Sequence, residues 1–258
     1  MTTVTAATAE PERVADELGR TVGDVRLVLW DFDGPICRLF ARHRASAVAD
    51  VLVGWLADRG MAHLLSADER AAGDPQAVLR AVGRRRPGSG LVTELEERYT
   101  AEELRAVTTA TPTAYTEPLI RAWSAAGVRP AVVTNNSPRA ASAYLSRRDL
   151  LPCFGPHVYG RDDRPHHLKP SPHLLHRAMD GTGTAASAAL MIGDSPDDLG
   201  AARSAGVAFL GYARDERKLR LLREAGARLV IGSFAPLLLT VGRHGARGGP
   251  ATVGSPHE

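Results

Sequence analysis

Residues 25–35 read VRLVLWDFDGP. A short apolar run ends in two carboxylates, Asp31 and Asp33, and Gly34-Pro35 turns the chain immediately afterwards. Such a run, bounded by a turn, fits a strand buried on both faces of a parallel sheet. Ligands of open α/β sheets gather beyond the carboxyl ends of the strands, so the run predicts Asp31 at a site, with Asp33 just past it. A tight loop at Gly34-Pro35 lets both carboxylates face one pocket despite strand alternation. Two carboxylates that close repel each other unless a cation lies near. Asp is also a common strand-ending turn former, so the segment alone leaves a plain turn open.

Working outward, short apolar runs alternate with helical patterns from Thr116 onward, the signature of βα units on a parallel sheet. Strands are predicted over 131–133, 157–159, 188–192, 207–210 and 229–231, and helices over 117–126, 139–148, 196–205 and 216–225. Ser137-Pro138 and Ser171-Pro172 supply N-cap and first-turn signals, the second for a helix running to about Met179. Residues 161–169 read as a polar loop.

The stretch between the first strand and Thr113 differs. Residues 41–59 place Val48, Leu52, Trp55 and Leu56 on one helical face, ahead of Gly60. Residues 75–82, 91–99 and 101–109 read as shorter helices, the first two split by GRRRPGSG at 83–90. No strand signal interrupts them. The expected fold class is α/β: a Rossmann-like parallel sheet core at 25–37 and 114–240, with an all-helical cap inserted at 38–113. Residues 1–24, rich in Ala, Thr and Glu, predict a mobile tail, and the Gly/Pro-rich residues 241–258 a disordered one.

Composition sets the class. The 258 residues are 44% hydrophobic and 24% charged, as in a globular protein able to bury a core. A net charge of +3 without a long single-sign run gives no indication of a nucleic-acid partner. Cys37 and Cys153 form no metal-spaced pair and suit reduced thiols. The N-terminal residues lack a basic start followed by an apolar core, and no run approaches membrane-spanning length. The expectation is a cytoplasmic protein with no membrane partner; the oligomeric state is left open.

The predicted strand ends then converge. They carry Asp31, Thr134 and Asp194, and the loop before the Ser171 helix carries Lys169. Singly, Thr134 is a capping residue, Lys169 a solvated one, and Asp194 and Asp198 acids that start a helix. Together, DFDG (31–34), VVTNNS (132–137), Lys169 in KPSP and GDSPDD (193–198) resemble the four ordered motifs of the haloacid dehalogenase superfamily. The helical insert lies where that superfamily's first-position cap belongs. Within it the chain is similar to the phosphoglycolate-phosphatase-like and β-phosphoglucomutase-like branch. The resemblance implies an enzyme, a phosphoric monoester hydrolase acting on a small phosphorylated metabolite.

Chemistry gives each position a role. Phosphate monoesters hydrolyse very slowly without a nucleophile, charge neutralisation and a proton. Asp31 is expected to be the nucleophile, forming an aspartyl-phosphate that divides one hard displacement into two easier ones. Asp33, as the family's second acid, would protonate the leaving oxygen and later accept a proton from water. Mg²⁺, a hard cation, is expected on Asp31, the carbonyl of Asp33 and Asp194, with Asp198 holding a metal-bound water or bracing the loop. Thr134 and the backbone N–H of Asn135 would bind phosphoryl oxygens, and Lys169 would pair with Asp31 and neutralise charge.

Other residues carry weaker signals. Arg84-Arg85-Arg86 is a solvated run or an anion contact from the cap, His166-His167 lacks zinc-site spacing, Asn136 is a turn residue or a pocket wall, and Cys37 is a small buried hydrophobe. Pro35 and Arg38 depart from the branch pattern, where Thr and Asp are frequent, which weakens a phosphoglycolate assignment. Asp33 argues against dehalogenation. Two further readings stay open: a sugar-phosphate mutase, and a non-catalytic phosphate-binding regulator.

Overall fold

The computed structural model describes residues 23–245, so the tail expected at 1–24 lies almost wholly outside them. The strands are β1 (Leu27–Trp30), β2 (Cys37–Arg38), β3 (Thr111–Pro112), β4 (Arg129–Val133), β5 (Val158–Tyr159), β6 (Ala189–Gly193), β7 (Ala208–Tyr212) and β8 (Val230–Ile231). Among the described residues six of them form one parallel sheet, ordered β5-β4-β1-β6-β7-β8. β1 is central and buried throughout, and its side chains explain why the run has no polar alternation. Leu27 and Leu29 enter a cluster with Leu174, Leu175, Ala201 and Ala202 on one face, while Val28 and Trp30 join Leu119, Ile120, Trp123 and Phe234 on the other. A central parallel strand needs apolar side chains on both sides.

The helices covering these faces are α1 (Ala45–Asp58), α2 (Ala67–Ala71), α3 (Pro75–Arg85), α4 (Gly90–Val107), α5 (Thr116–Ala125), α6 (Pro138–Arg147), α7 (Leu151–Phe154), α8 (His173–Thr182), α9 (Pro196–Ser204), α10 (Glu216–Glu224) and α11 (Ala235–Gly245). α1 buries the predicted face, Val48, Leu52, Trp55 and Leu56. With Val78, Leu79, Val82, Val92, Leu95 and Tyr99 these residues make a separate apolar cluster from the inserted stretch.

Four expectations need correction. The two helices predicted at 91–99 and 101–109 are one, α4, because Thr100 donates to Glu96 one turn back and breaks nothing. The insert is not free of strands: β2 and β3 pair antiparallel at its two ends, and two residues each are too few to show a period. α3 continues through Arg85, so most of the arginine run is helical. Finally, α11 extends through Gly245, and disorder does not begin at Val241; residues 246–258 lie outside the described residues.

Both ends of the insert are anchored on the loop after β1. Thr113 Oγ1 donates to the carbonyl of Gly34 at 2.6 Å, Thr116 Oγ1 to that of Pro35 at 2.7 Å, and Thr113 N–H to that of Ile36. Among the described residues no helix is long and apolar enough to cross a membrane.

Leu29→Ala should destabilise the chain by about 2–5 kcal/mol, because a fully buried leucine leaves transfer and cavity terms behind. A urea denaturation midpoint displaced by that amount at an unchanged slope checks it.

Candidate active site

Parallel register builds the site. Trp30 lies level with Val132 and with Ile192, so β1, β4 and β6 end side by side and their next residues, Asp31, Thr134 and Asp194, line one edge. Asp31 is still tied to the sheet by its N–H, which donates to Ile192 O. Gly34, at φ +133°, brings the loop against Asp194; a Cβ there would lie 2.5 Å from the Asp194 carboxylate. Only glycine serves at that position.

At the centre is a buried ammonium. Lys169 Nζ donates to Asp31 Oδ1 at 2.8 Å, Asp198 Oδ1 at 2.5 Å and Val133 O at 2.9 Å. Burial opposes its charge, but Asp198 and Asp31 outweigh burial and hold it above the ordinary lysine range. Burial pushes the Asp31 carboxyl up to about 7, helped by Asp198, while Lys169 pulls it down. Asp33 is raised to about 6, again chiefly by burial, and the Leu39 N–H on its Oδ1 at 2.8 Å works the other way. A carboxyl poised there suits a group that must give and regain a proton.

Asp198 braces the last loop. Its Oδ2 accepts from the N–H groups of Asp194 and Ser195 and from Ser195 Oγ, and its Oδ1 from Lys169. Asp194 carries a partner with no motif to announce it: Lys218 Nζ, from the first turn of α10, lies 2.8 Å from its Oδ2. Even so, burial holds Asp194 at about 6. The sequence reading left Lys169 as the sole cation near these acids, and Lys218 corrects it.

The loop after β4 is held from both sides. Thr134 Oγ1 donates to Asn136 Oδ1 at 2.9 Å and accepts from Asn136 N–H at 3.1 Å. Asn135 spends its amide on the backbone of Lys169, at 2.8 and 3.2 Å, and on Gln76 of α3 at 3.2 Å. Arg80 of α3 reaches across to Lys169 O at 2.5 Å and Asp197 at 2.9 Å. Glu103 of α4, fully buried, accepts from Asn136 Nδ2, Ser137 N–H and Arg161. Sequence reasoning passed over Gln76, Arg80, Glu103 and Arg161; the last fell inside a stretch read as polar loop, yet it is buried.

The weaker candidates resolve simply. Arg84 and Arg85 both pair with Glu69 on α2, at 2.8 and 3.0 Å. His167 bonds Asp162 at 3.0 Å and stacks on His173 at 3.7 Å, a brace for the loop that presents Lys169. Parallel stacked rings aim their nitrogen lone pairs side by side instead of at one point. Cys37 is buried, and burial pushes its thiol well up, which makes it inert.

The acids fit a hard divalent cation. Asp31, Asp194 and Asp198, all buried, each offer an oxygen within 4.8 Å of the others, the donor type Mg²⁺ takes. Since the Asp198 oxygens already hold Lys169 and the loop, Asp31 and Asp194 are the better direct ligands. Four carboxylates face only two ammonium groups at this edge before any anionic ligand arrives.

Residues 25–206 match the family of haloacid dehalogenase-like hydrolases. The phosphoglycolate phosphatase of Rhodospirillum rubrum is 29% identical over 228 residues, 82% of this chain and 89% of its own. That of Pseudomonas savastanoi pv. phaseolicola is 29% identical over 223 residues, covering 83% and 78%. A solved structure from Clostridium acetobutylicum, described as a predicted phosphatase, shares the fold at TM-score 0.65 and 15% identity, over 85% of this chain and 99% of that one.

Folding raises Asp33 above its ordinary value of 3.8, so the unfolded chain ionises this group first as pH rises. The folded state therefore loses stability between about pH 4 and 6 on this account. Asp33→Asn, with nothing to titrate, should gain on the unaltered chain across that window. The gain is about 1–3 kcal/mol at most, toward the lower end because the side chain keeps some solvent contact. Urea denaturation in chelator at about pH 4 and 7 measures it; a constant or shrinking gap would contradict the raised carboxyl.

Proposed function

The chain belongs to the haloacid dehalogenase-like hydrolases, and from that premise we propose that it is a Mg²⁺-dependent phosphatase of small phosphate monoesters. The observation that carries this reading is the Asp31 carboxylate, held at a strand end by a buried ammonium, with Asp33 two residues on and Asp194 across the strand edge. Lys169 takes one Asp31 oxygen and leaves the other for attack on phosphorus. As the Asp31 O–P bond forms, the bond to the leaving oxygen breaks and Asp33 supplies its proton. In the second half, Asp33 removes a proton from water, whose oxygen displaces the Asp31 carboxylate and releases inorganic phosphate.

Thr134 Oγ1 and the Asn135 N–H are the proposed donors to the phosphoryl oxygens, with Lys169 countering their charge. Asp31 and Asp194 would hold the cation, with the Asp33 carbonyl as a third donor and Asp198 as the brace behind them. Bound there, Mg²⁺ supplies the positive charge that lets an anionic carboxylate meet an anionic ester. At about 4 Å and an effective dielectric near 20, each like-charge pair otherwise costs roughly 4 kcal/mol.

The substrate class follows from the relatives' names together with the site. A small phosphorylated acid is the first candidate, with phosphoglycolate and sugar phosphates on one panel assayed with Mg²⁺. Turnover that requires a sugar bisphosphate would identify phosphotransfer instead.

Asp31→Asn should reduce turnover to background at an unchanged melting temperature, since it removes the nucleophile and almost no volume; retained turnover would sink the mechanism. Excess chelator should abolish activity and Mg²⁺ restore it. Asp194→Ala should raise the Mg²⁺ needed for half-activity by more than about tenfold, read from initial rates against Mg²⁺ concentration. Equal requirements would remove Asp194 as a ligand.

A further inference from the structure

Glu103 lies on α4, in the inserted stretch, yet its carboxylate is buried against the loop that follows β4. Oε1 accepts from Asn136 Nδ2 at 2.8 Å and Arg161 Nη1 at 2.9 Å; Oε2 accepts from Ser137 N–H at 3.0 Å and Arg161 Nη2 at 2.8 Å. Arg161 Nη1 also donates to Asn135 O at 3.1 Å, its backbone N–H to Asn136 O at 2.9 Å, and its guanidinium lies 3.9 Å over the Tyr99 ring. Residues 135–137 are thus gripped through backbone and side chain by one buried ion pair.

The grip has a direction. An ionised carboxylate only accepts, so Glu103 fixes the Asn136 amide with its nitrogen toward the cap. The amide oxygen is thereby turned to Thr134, whose Oγ1 it meets at 2.9 Å, while Asn136 N–H holds the same Oγ1 at 3.1 Å. The Thr134 oxygen is pinned, and its O–H bond stays free to swing toward a phosphoryl oxygen.

We infer that Glu103 is a positioning residue: from the cap, through Asn136, it sets the Thr134 hydroxyl for phosphate. This rests on the phosphoryl-transfer reading above. It makes the phosphate pocket complete only when α4 is seated, so the insert contributes to binding the group common to all substrates.

The test is a double-mutant cycle on inorganic phosphate binding, measured by titration calorimetry with Mg²⁺ present. Glu103→Gln should weaken phosphate by about tenfold in the unaltered chain and by less than about threefold in a Thr134→Val background. Equal losses in both backgrounds would mark a merely structural role and overturn the inference, as would no loss at all. If Glu103→Gln does not fold, Asn136→Ala replaces it in the same cycle, because it cuts the link while leaving the Glu103–Arg161 pair; the same coupling is expected and its absence is equally fatal. Failure of the unaltered chain to bind phosphate would instead overturn the site reading, and this inference with it.

Discussion

One ammonium holds the catalytic edge together. Lys169 Nζ sits among Asp31, Asp198 and the Val133 carbonyl, and so ties the ends of β1 and β4 to the start of α9. Removing one partner of such a buried pair costs about 3–5 kcal/mol, since the other charge is left without compensation. The constraint explains neighbours that have no chemical role of their own. Asn135 fixes the Lys169 backbone, Arg80 caps its carbonyl, and the His167–Asp162 contact secures the loop before it.

Burial works in two opposed ways at this edge. It raises Asp31, Asp33 and Asp194 toward neutrality, and the same low-polarity surroundings strengthen each charge that remains. The balance favours a pocket that takes up cation and anion together over one that binds the anion alone. The fold places the two ammonium groups on different acids, Lys169 on Asp31 and Asp198, Lys218 on Asp194, which keeps the acids apart without neutralising all of them.

What the sequence made legible was whatever local pattern encodes. Buried strands show as unbroken apolar runs, and the register of β1 with β4 and β6 then brings Asp31, Thr134 and Asp194 together, as their strand-end positions implied. The Ser137 cap is where it was read, its hydroxyl accepting from Arg139 N–H, while at α8 the cap falls one residue later, on Pro172. What stayed hidden was pairing over distance. Arg161 and Glu103 are 58 residues apart, and each looks like an ordinary surface charge until the fold joins them. Lys218 was concealed for the same reason, and β2 with β3 because a period cannot be read from two residues.

The course of α4 bears on how this architecture can change. Its first half packs Val92, Leu95 and Tyr99 into the insert's cluster, and its last turn packs Ala106 and Val107 into the main one. Between them, Thr100 and Glu103 engage Arg161 of the sheet domain. The insert is therefore no detachable module with a clean seam at its two short strands. A lineage exchanging this insert for another by recombination would have to retain the second half of α4, or replace Arg161 in the same step, to avoid stranding a buried guanidinium. Novelty in this chain is thus easiest in α1 to α3, upstream of that joint.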